Sequence, residues 1–179
     1  MLRIIGGRWR GRRIAVPDQP GLRPTPDRVR ETLFNWLQPV IVGARCLDLF
    51  AGSGALALEA LSRGAAEVVA VEQNPLVADG LREVAGKLGT DGLEVMRDDA
   101  RAYLERAPRP FDVVFLDPPF GSDLLSHMPG LLEPGWLASP AWIYLECAPG
   151  QDEAPLPGTW EILRHKRAGD VIYRLARRA

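Results

Sequence analysis

Between Arg45 and Cys147 short apolar runs alternate with segments whose apolar residues recur every three or four positions. The runs are RCLDLF, EVVAVE, LEVMRDD, FDVVFLD and AWIYLECA. Between them lie ALALEALSR, PLVADGLREVAGKL, ARAYLERA and LLSHMPGLL. Strand-length runs alternating with helix-period segments predict a parallel sheet covered by helices on both faces. Upstream, TPDRVRETLFNWL sets Val29, Leu33, Phe34, Trp36 and Leu37 at roughly helical spacing, with Thr25 expected as the N-cap and Pro26 at the first helical position. The end breaks the alternation. There, WEILRHKR and DVIYRLARR are two strand-like runs joined at Ala168-Gly169, which predicts an antiparallel hairpin. APGQDEAPLPG reads as a surface loop, and no internal repeat or low-complexity segment interrupts the pattern.

Composition narrows this to one core. The chain has 179 residues, 46% of them apolar and 25% charged, enough for a single globular core and too few for a second full domain. The expected division is a basic arm over residues 1–24 and an α/β domain over 25–179. Cys46 and Cys147 sit singly inside apolar runs, so they read as small core residues rather than a disulfide or zinc framework. With no leader-like start and no apolar run of membrane-spanning length, the expectation is a soluble cytoplasmic protein.

A formal net charge of −1 hides a strong asymmetry. Residues 1–30 carry eight arginines against Asp18 and Asp27, and the tail after Trp160 is basic again through Arg164, Lys166, Arg167, Arg174, Arg177 and Arg178. The middle is acidic. Basic edges around an acidic body suggest a phosphate-bearing partner that meets the periphery of the molecule.

In parallel α/β sheets ligands bind beyond the carboxyl ends of the strands, so those ends carry the candidate chemistry. The first run continues as LDLFAGSGALALEA, where Gly52-Ser53-Gly54 allows a tight turn and close backbone approach to a ligand. The second ends at Glu72, twenty residues beyond Gly52, where a carboxylate can meet both hydroxyls of a ribose. The third ends at Asp98-Asp99 and the fourth at Asp117-Pro118-Pro119-Phe120. A dinucleotide pyrophosphate beside Asp48 is electrostatically disfavoured. S-adenosylmethionine, with its cationic ammonium and sulfonium, suits an acidic pocket.

The Asp-Pro-Pro-Phe corner suits an amine nucleophile. A nucleobase amine has its lone pair delocalised into the ring and must pyramidalise to attack a methyl group. A carboxylate (Asp117) beside a proline carbonyl (Pro118) supplies two acceptors for its two hydrogens, and the prolines contribute no competing N–H donor. Phe120 is placed to stack on a base that has left its neighbours. In-line methyl transfer then needs alignment rather than a metal or a covalent intermediate. His127 and His165 are accordingly not expected to be catalytic.

DLFAGSGALALEA, the Glu72 strand end and DPPF, in that order, resemble the amino-group methyltransferases of the class I S-adenosylmethionine-dependent superfamily. IIGGRWRGRRI, GLRPTPDRVRETLFNWL and GWLASPAWIYLE extend the resemblance over nearly the whole chain to the RsmD family of bacterial ribosomal RNA methyltransferases, which act on guanine N2 in 16S rRNA. That resemblance implies a Rossmann-like, seven-stranded sheet of order 3-2-1-4-5-7-6 with an antiparallel last strand. It also implies cofactor contacts at Asp48, Phe50, Gly52 and Gly54, ribose contacts at Glu72, and adenine contacts near Gln73, Asn74 and Asp99, with Asp98 as the alternative to Asp99. Asp117, Pro118 and Phe120 become catalytic. Arg8, Arg10, Arg12, Arg23, Arg28 and Arg30 are assigned to RNA by charge as much as by resemblance, the partner being 16S rRNA or the small subunit during assembly.

Three other functions compete. A DNA adenine or cytosine amino-methyltransferase would use the same corner but usually brings a larger target-recognition region. A nicotinamide dehydrogenase is disfavoured by Asp48 and the lack of a substrate domain. A non-catalytic RNA-binding module would leave the strand-end acids without a role.

Overall fold

The computed structural model describes residues 1–15, 17, 19–20, 22, 25–151 and 155–179. Arg23, one of the arginines assigned to RNA, lies outside the described residues.

The chain opens with a small hairpin, β1 (Leu2–Arg3) and β2 (Arg13–Ile14), followed by helix α1 (Asp27–Leu37). Strand and helix then alternate through β3 (Arg45–Asp48), α2 (Ala55–Ser62), β4 (Glu67–Val71), α3 (Pro75–Leu88), β5 (Leu93–Met96), α4 (Ala100–Leu104), β6 (Phe111–Leu116), α5 (Leu124–Leu132) and β7 (Leu137–Cys147). A long hairpin of β8 (Trp160–Ala168) and β9 (Val171–Arg178) ends the fold. The main sheet runs β5-β4-β3-β6-β7-β9-β8, with β9 antiparallel to both neighbours. Counted along the core, this is the 3-2-1-4-5-7-6 order of the Rossmann-like methyltransferase fold. Among the described residues no helix is long and apolar enough to cross a membrane.

Two apolar layers cover the sheet. On one face α1, α2, α3 and the arm bury Phe34, Leu58, Leu81 and Trp9 against Phe115 and Tyr144. On the other, α4 and α5 bury Tyr103, Leu125 and Met128 against Val114 and Ile143. The continuous apolar character of β6 follows from burial on both sides. Cys46 and Cys147 are both free thiols buried in these layers, one on each face.

The arm is held by a buried carboxylate. Every residue of α2 is buried, Glu59 included. The Glu59 side chain accepts from the Ile5 amide at 2.9 Å and the Gly6 amide at 2.8 Å, and pairs with Arg63 at 2.8 Å and Arg30 at 3.6 Å. Ser62 adds a second anchor, donating to the Gly6 carbonyl at 2.6 Å and accepting from the Trp9 amide at 3.0 Å. Gly7 follows from this closeness: at φ +75°, a Cβ there would fall 1.8 Å from the Ser62 carbonyl oxygen. The Gly-Gly of the arm is therefore a docking feature.

Three expectations are corrected. Arg30 is only 1% exposed, and its guanidinium is engaged by Asp27 at 2.6 Å, the Arg3 carbonyl at 2.9 Å, the Thr25 carbonyl at 3.2 Å and Glu59. A charge this buried needs its partners, so Arg30 clamps arm to helix and does not reach RNA. The N-cap of α1 is Pro26, not Thr25, and the Thr25 hydroxyl points elsewhere. The final turn is Gly169-Asp170, one residue later than expected, because Ala168 still pairs with Val171.

Candidate functional site

The carboxyl ends of β3, β4, β5, β6 and β7 share one edge of the sheet, because these five strands are parallel. After β3 the chain turns through residues 49–54 into α2, with Gly54 as the N-cap at φ +77°. A Cβ on Gly54 would lie 2.4 Å from a Leu81 methyl, so the turn and the packing of α3 both require glycine. Phe50 is half-buried in the same turn.

Glu72, the first residue past β4, grips this turn. Its carboxylate accepts from the Gly52 amide at 2.9 Å and from the Asn74 amide at 2.7 Å, while its own amide donates to Met96 of the next strand at 3.0 Å. Asn74 in turn caps α3, accepting from the Leu76 amide at 2.9 Å. Gln73 between them is exposed. Beyond β5, Asp98 is half-buried and ion-paired with Arg106, whereas Asp99 is exposed and caps α4 through the amides of Arg101 and Ala102.

Asp48 ends β3 fully enclosed. It is 1% exposed, and neither carboxylate oxygen has a hydrogen-bond partner among the described residues. Burial pushes its pKa up to about 7; the neighbouring amides of Phe50 and Ala57 pull the other way without closing a hydrogen bond, and Glu72 adds to the rise. An anion with no partner inside a protein is costly unless something cationic completes it.

Asp117 follows β6 immediately. Its Oδ2 accepts from the Thr25 hydroxyl at 3.3 Å, across 92 residues of sequence. Burial raises its pKa well above the usual carboxylate value, and the charges of Glu146 and Asp48 add to that. Pro119 spends its carbonyl on Ser122, which donates from both its hydroxyl at 2.8 Å and its amide at 3.3 Å. The Pro118 carbonyl accepts no hydrogen bond among the described residues and is left as the second acceptor beside Asp117. Phe120 is 47% exposed, the one aromatic ring among the described residues that stands out in solvent.

Asp48, Asp117 and Glu72 are thus electrostatic neighbours, with Gly52, Gly54 and Asn74 around them. Of the arginines assigned to RNA, Arg8, Arg10, Arg12 and Arg28 are exposed, Arg8 lying over the Trp9 ring at 4.1 Å. Two residues not anticipated join the site. Glu146 lies near the end of β7, 4% exposed, and accepts from the Tyr144 hydroxyl at 2.7 Å. Burial raises the pKa of Glu146, and burial and the Glu146 charge raise that of Tyr144. The signal was present in IYLECA, an acid at the end of an apolar run like the four already noted. His127 is exposed on α5 against the Asp123 carbonyl, and His165 is exposed on the edge strand β8.

Residues 2–177 match the protein family described as Conserved hypothetical protein 95. The chain is 51% identical over 178 residues to ribosomal RNA small subunit methyltransferase D of Escherichia coli (strain K12), covering 99% of this chain and 90% of that protein. The protein of the same name from Haemophilus influenzae is 45% identical over 181 residues, covering 97% and 92%. The solved structure of yhhF from Escherichia coli superimposes with a TM-score of 0.92 at 47% identity, covering 99% of this chain and 97% of the other.

Proposed function

This chain belongs to the RsmD family, the ribosomal RNA small subunit methyltransferases D, and from that premise we propose that it methylates the exocyclic N2 amine of one guanine in 16S rRNA, using S-adenosylmethionine. The family makes it an S-adenosylmethionine-dependent rRNA methyltransferase. The choice of an exocyclic amine rests on the corner at Asp117, Pro118 and Phe120.

The cofactor's chemistry fits the residues present. Asp48 is a buried carboxylate without a hydrogen-bond partner among the described residues and suits a cationic amino-acid moiety. Phe50, Gly52 and Gly54 line the same turn, and Glu72 takes the ribose hydroxyls. Gln73, Asn74 and the Asp98-Asp99 end of β5 border the adenine side. When bound, S-adenosylmethionine supplies an electrophilic methyl carbon on a sulfonium.

The protein's own contribution is positional. Asp117 and the Pro118 carbonyl each accept one hydrogen of the amine, holding both out of the ring plane and localising the lone pair on nitrogen. Phe120 stacks on the flipped base and Thr25 fixes the Asp117 carboxylate from behind. Burial raises the pKa of Asp117 above the ordinary carboxylate value, which makes it a stronger acceptor for the proton that the methylated amine must release. Arg8, Arg10, Arg12 and Arg28 are the exposed cations we assign to RNA, with the arm over residues 1–24 as a contact element beside the domain over 25–179. We place the reaction in the cytoplasm, on 16S rRNA or an assembling small subunit.

The direct test is a small-subunit substrate carrying inosine at the target, which lacks only the N2 amine. It should bind as the normal substrate does and receive no methyl group when nuclease digests are read by mass spectrometry. Methyl on the inosine base, or on a ring nitrogen or ribose oxygen of the normal substrate, overturns the reading.

Glu72→Ala supplies a second test, of the cofactor alone. It removes the hydrogen bonds to the ribose and frees the Gly52 and Asn74 amides, so calorimetric affinity for S-adenosylmethionine should fall by about 1.5–3 kcal/mol. Unchanged affinity would take Glu72 out of the site.

A further inference from the structure

Residues two apart on a helix do not share a face, and α1 exploits this with two arginines. Arg30 turns inward to the arm and α2, whereas Arg28 lines a groove on the other flank with Thr32, Lys166, Arg167, Gly169 and Tyr173. This groove between α1 and the β8–β9 hairpin has a volume of about 530 Å³ and, among the described residues, no acid in its lining. Arg28, Lys166 and Arg167 are all exposed, and none pairs with a carboxylate among the described residues. Arg167 instead donates to the Gly169 carbonyl at 2.9 Å, which holds its guanidinium at the hairpin tip.

The sheet register puts the groove level with the Asp-Pro-Pro-Phe corner. Leu116 pairs with Leu145, so Asp117 continues beside Glu146; Glu146 pairs with Tyr173, and Tyr173 with Lys166. Paired residues share a face, so Lys166 ends a row that begins at Asp117 and crosses β7 and β9 on the α1 side of the sheet. Three strand spacings of about 4.8 Å make that row roughly 14 Å long. In a stacked strand rising about 3.4 Å per nucleotide, that distance spans about four nucleotides.

We propose that this groove is a phosphate seat for the rRNA strand flanking the target nucleotide, with Arg28 and Lys166 as its cations and Arg167, whose pairing with Ile172 starts it on the opposite face, as the charge at its rim on the hairpin tip. The inference rests on the reading of this protein as an rRNA methyltransferase and deepens it. A grip on the phosphates flanking the corner holds a flipped nucleotide against the pull of its neighbours restacking.

The test is Lys166→Ala with Arg167→Ala, both on an exposed edge strand, assayed against a target-bearing RNA fragment and against the small-subunit particle. Thermal melting and S-adenosylmethionine affinity should match the parent. KM for both substrates should rise with kcat held, and the slope of log affinity against log salt should flatten by roughly 0.7–0.9 per lost contact. The charge-preserving exchange Lys166→Arg with Arg167→Lys should restore the slope. A double alanine variant with the parent's KM and salt slope overturns the proposal. An effect confined to the particle also overturns it, since the groove would then dock a ribosomal protein rather than RNA. If the parent itself fails to methylate either substrate, it is the functional reading that falls.

Discussion

Asp117→Ala will bind S-adenosylmethionine as the parent does and lose nearly all turnover, with kcat falling by two orders of magnitude or more, the scale for removing a group that stabilises only the transition state, about 2.7–4 kcal/mol. In the proposed reaction the carboxylate faces the reacting amine and its hydrogen bond strengthens as nitrogen pyramidalises, so its loss is expected in kcat rather than in cofactor binding. Thr25 and Glu146 frame the same carboxyl, the first by a hydrogen bond at 3.3 Å and the second by its charge. Because burial and Glu146 raise the Asp117 pKa, the acceptor form disappears as pH falls through that raised value. Parent turnover should therefore drop on the acid side at a pH above the ordinary carboxylate range, with S-adenosylmethionine still bound. Single-turnover assays with calorimetry decide the matter; a variant that retains turnover removes Asp117 from the chemistry.

Asp48→Asn should strengthen the fold at alkaline pH while weakening the site. The Asp48 pKa is about 7 in the folded protein against an ordinary 3.8, so folding favours the protonated form. That contribution is complete below 3.8 and is lost as pH rises through about 7. At about 1.4 kcal/mol per unit the parent loses up to roughly 4 kcal/mol over this window that the amide variant keeps. Denaturant unfolding at pH 4 and pH 8 should show the variant gaining on the parent as pH rises. Parent affinity for the cationic cofactor should climb with pH through about 7, because ligand and ionised Asp48 stabilise each other, and the variant should lack that climb. A stability difference that does not change with pH would show that Asp48 is not held protonated by burial. Such a gain in stability at the expense of binding is the ordinary trade at a functional site.

The corner at Asp117 was legible because its chemistry is local. A carboxylate, a proline carbonyl and a ring in consecutive positions owe their mutual geometry to the peptide bond and the fixed φ of proline. The glycine turn and Glu72 were legible for a related reason, since a strand, a tight turn, a helix and a second strand occupy a nearly constant length of chain. Glu146 carries the same local signal, an acid at the end of an apolar run, but its place beside Asp117 is set by the pairing of β6 with β7, which no pattern along the chain measures. Arg30 reads as an RNA contact in the sequence because charge in a basic segment looks alike whether it faces solvent or Glu59.

The amino-acid sequence by itself determined the alternation of strands and helices, the closing hairpin, the glycine turn, the acids at the strand ends and the Asp-Pro-Pro-Phe corner, all properties of hydrophobic period and turn geometry within a few dozen residues. Only the tertiary structure decided that Arg30 clamps the arm while Arg28 stays exposed, that the Thr25 hydroxyl serves Asp117 rather than α1, and that Lys166 stands in one cross-strand row with Asp117. Register and burial bring together residues 29, 49 or 92 positions apart. The free energy of a charged group depends on those neighbours and on access to water, neither of which is a local property of the chain.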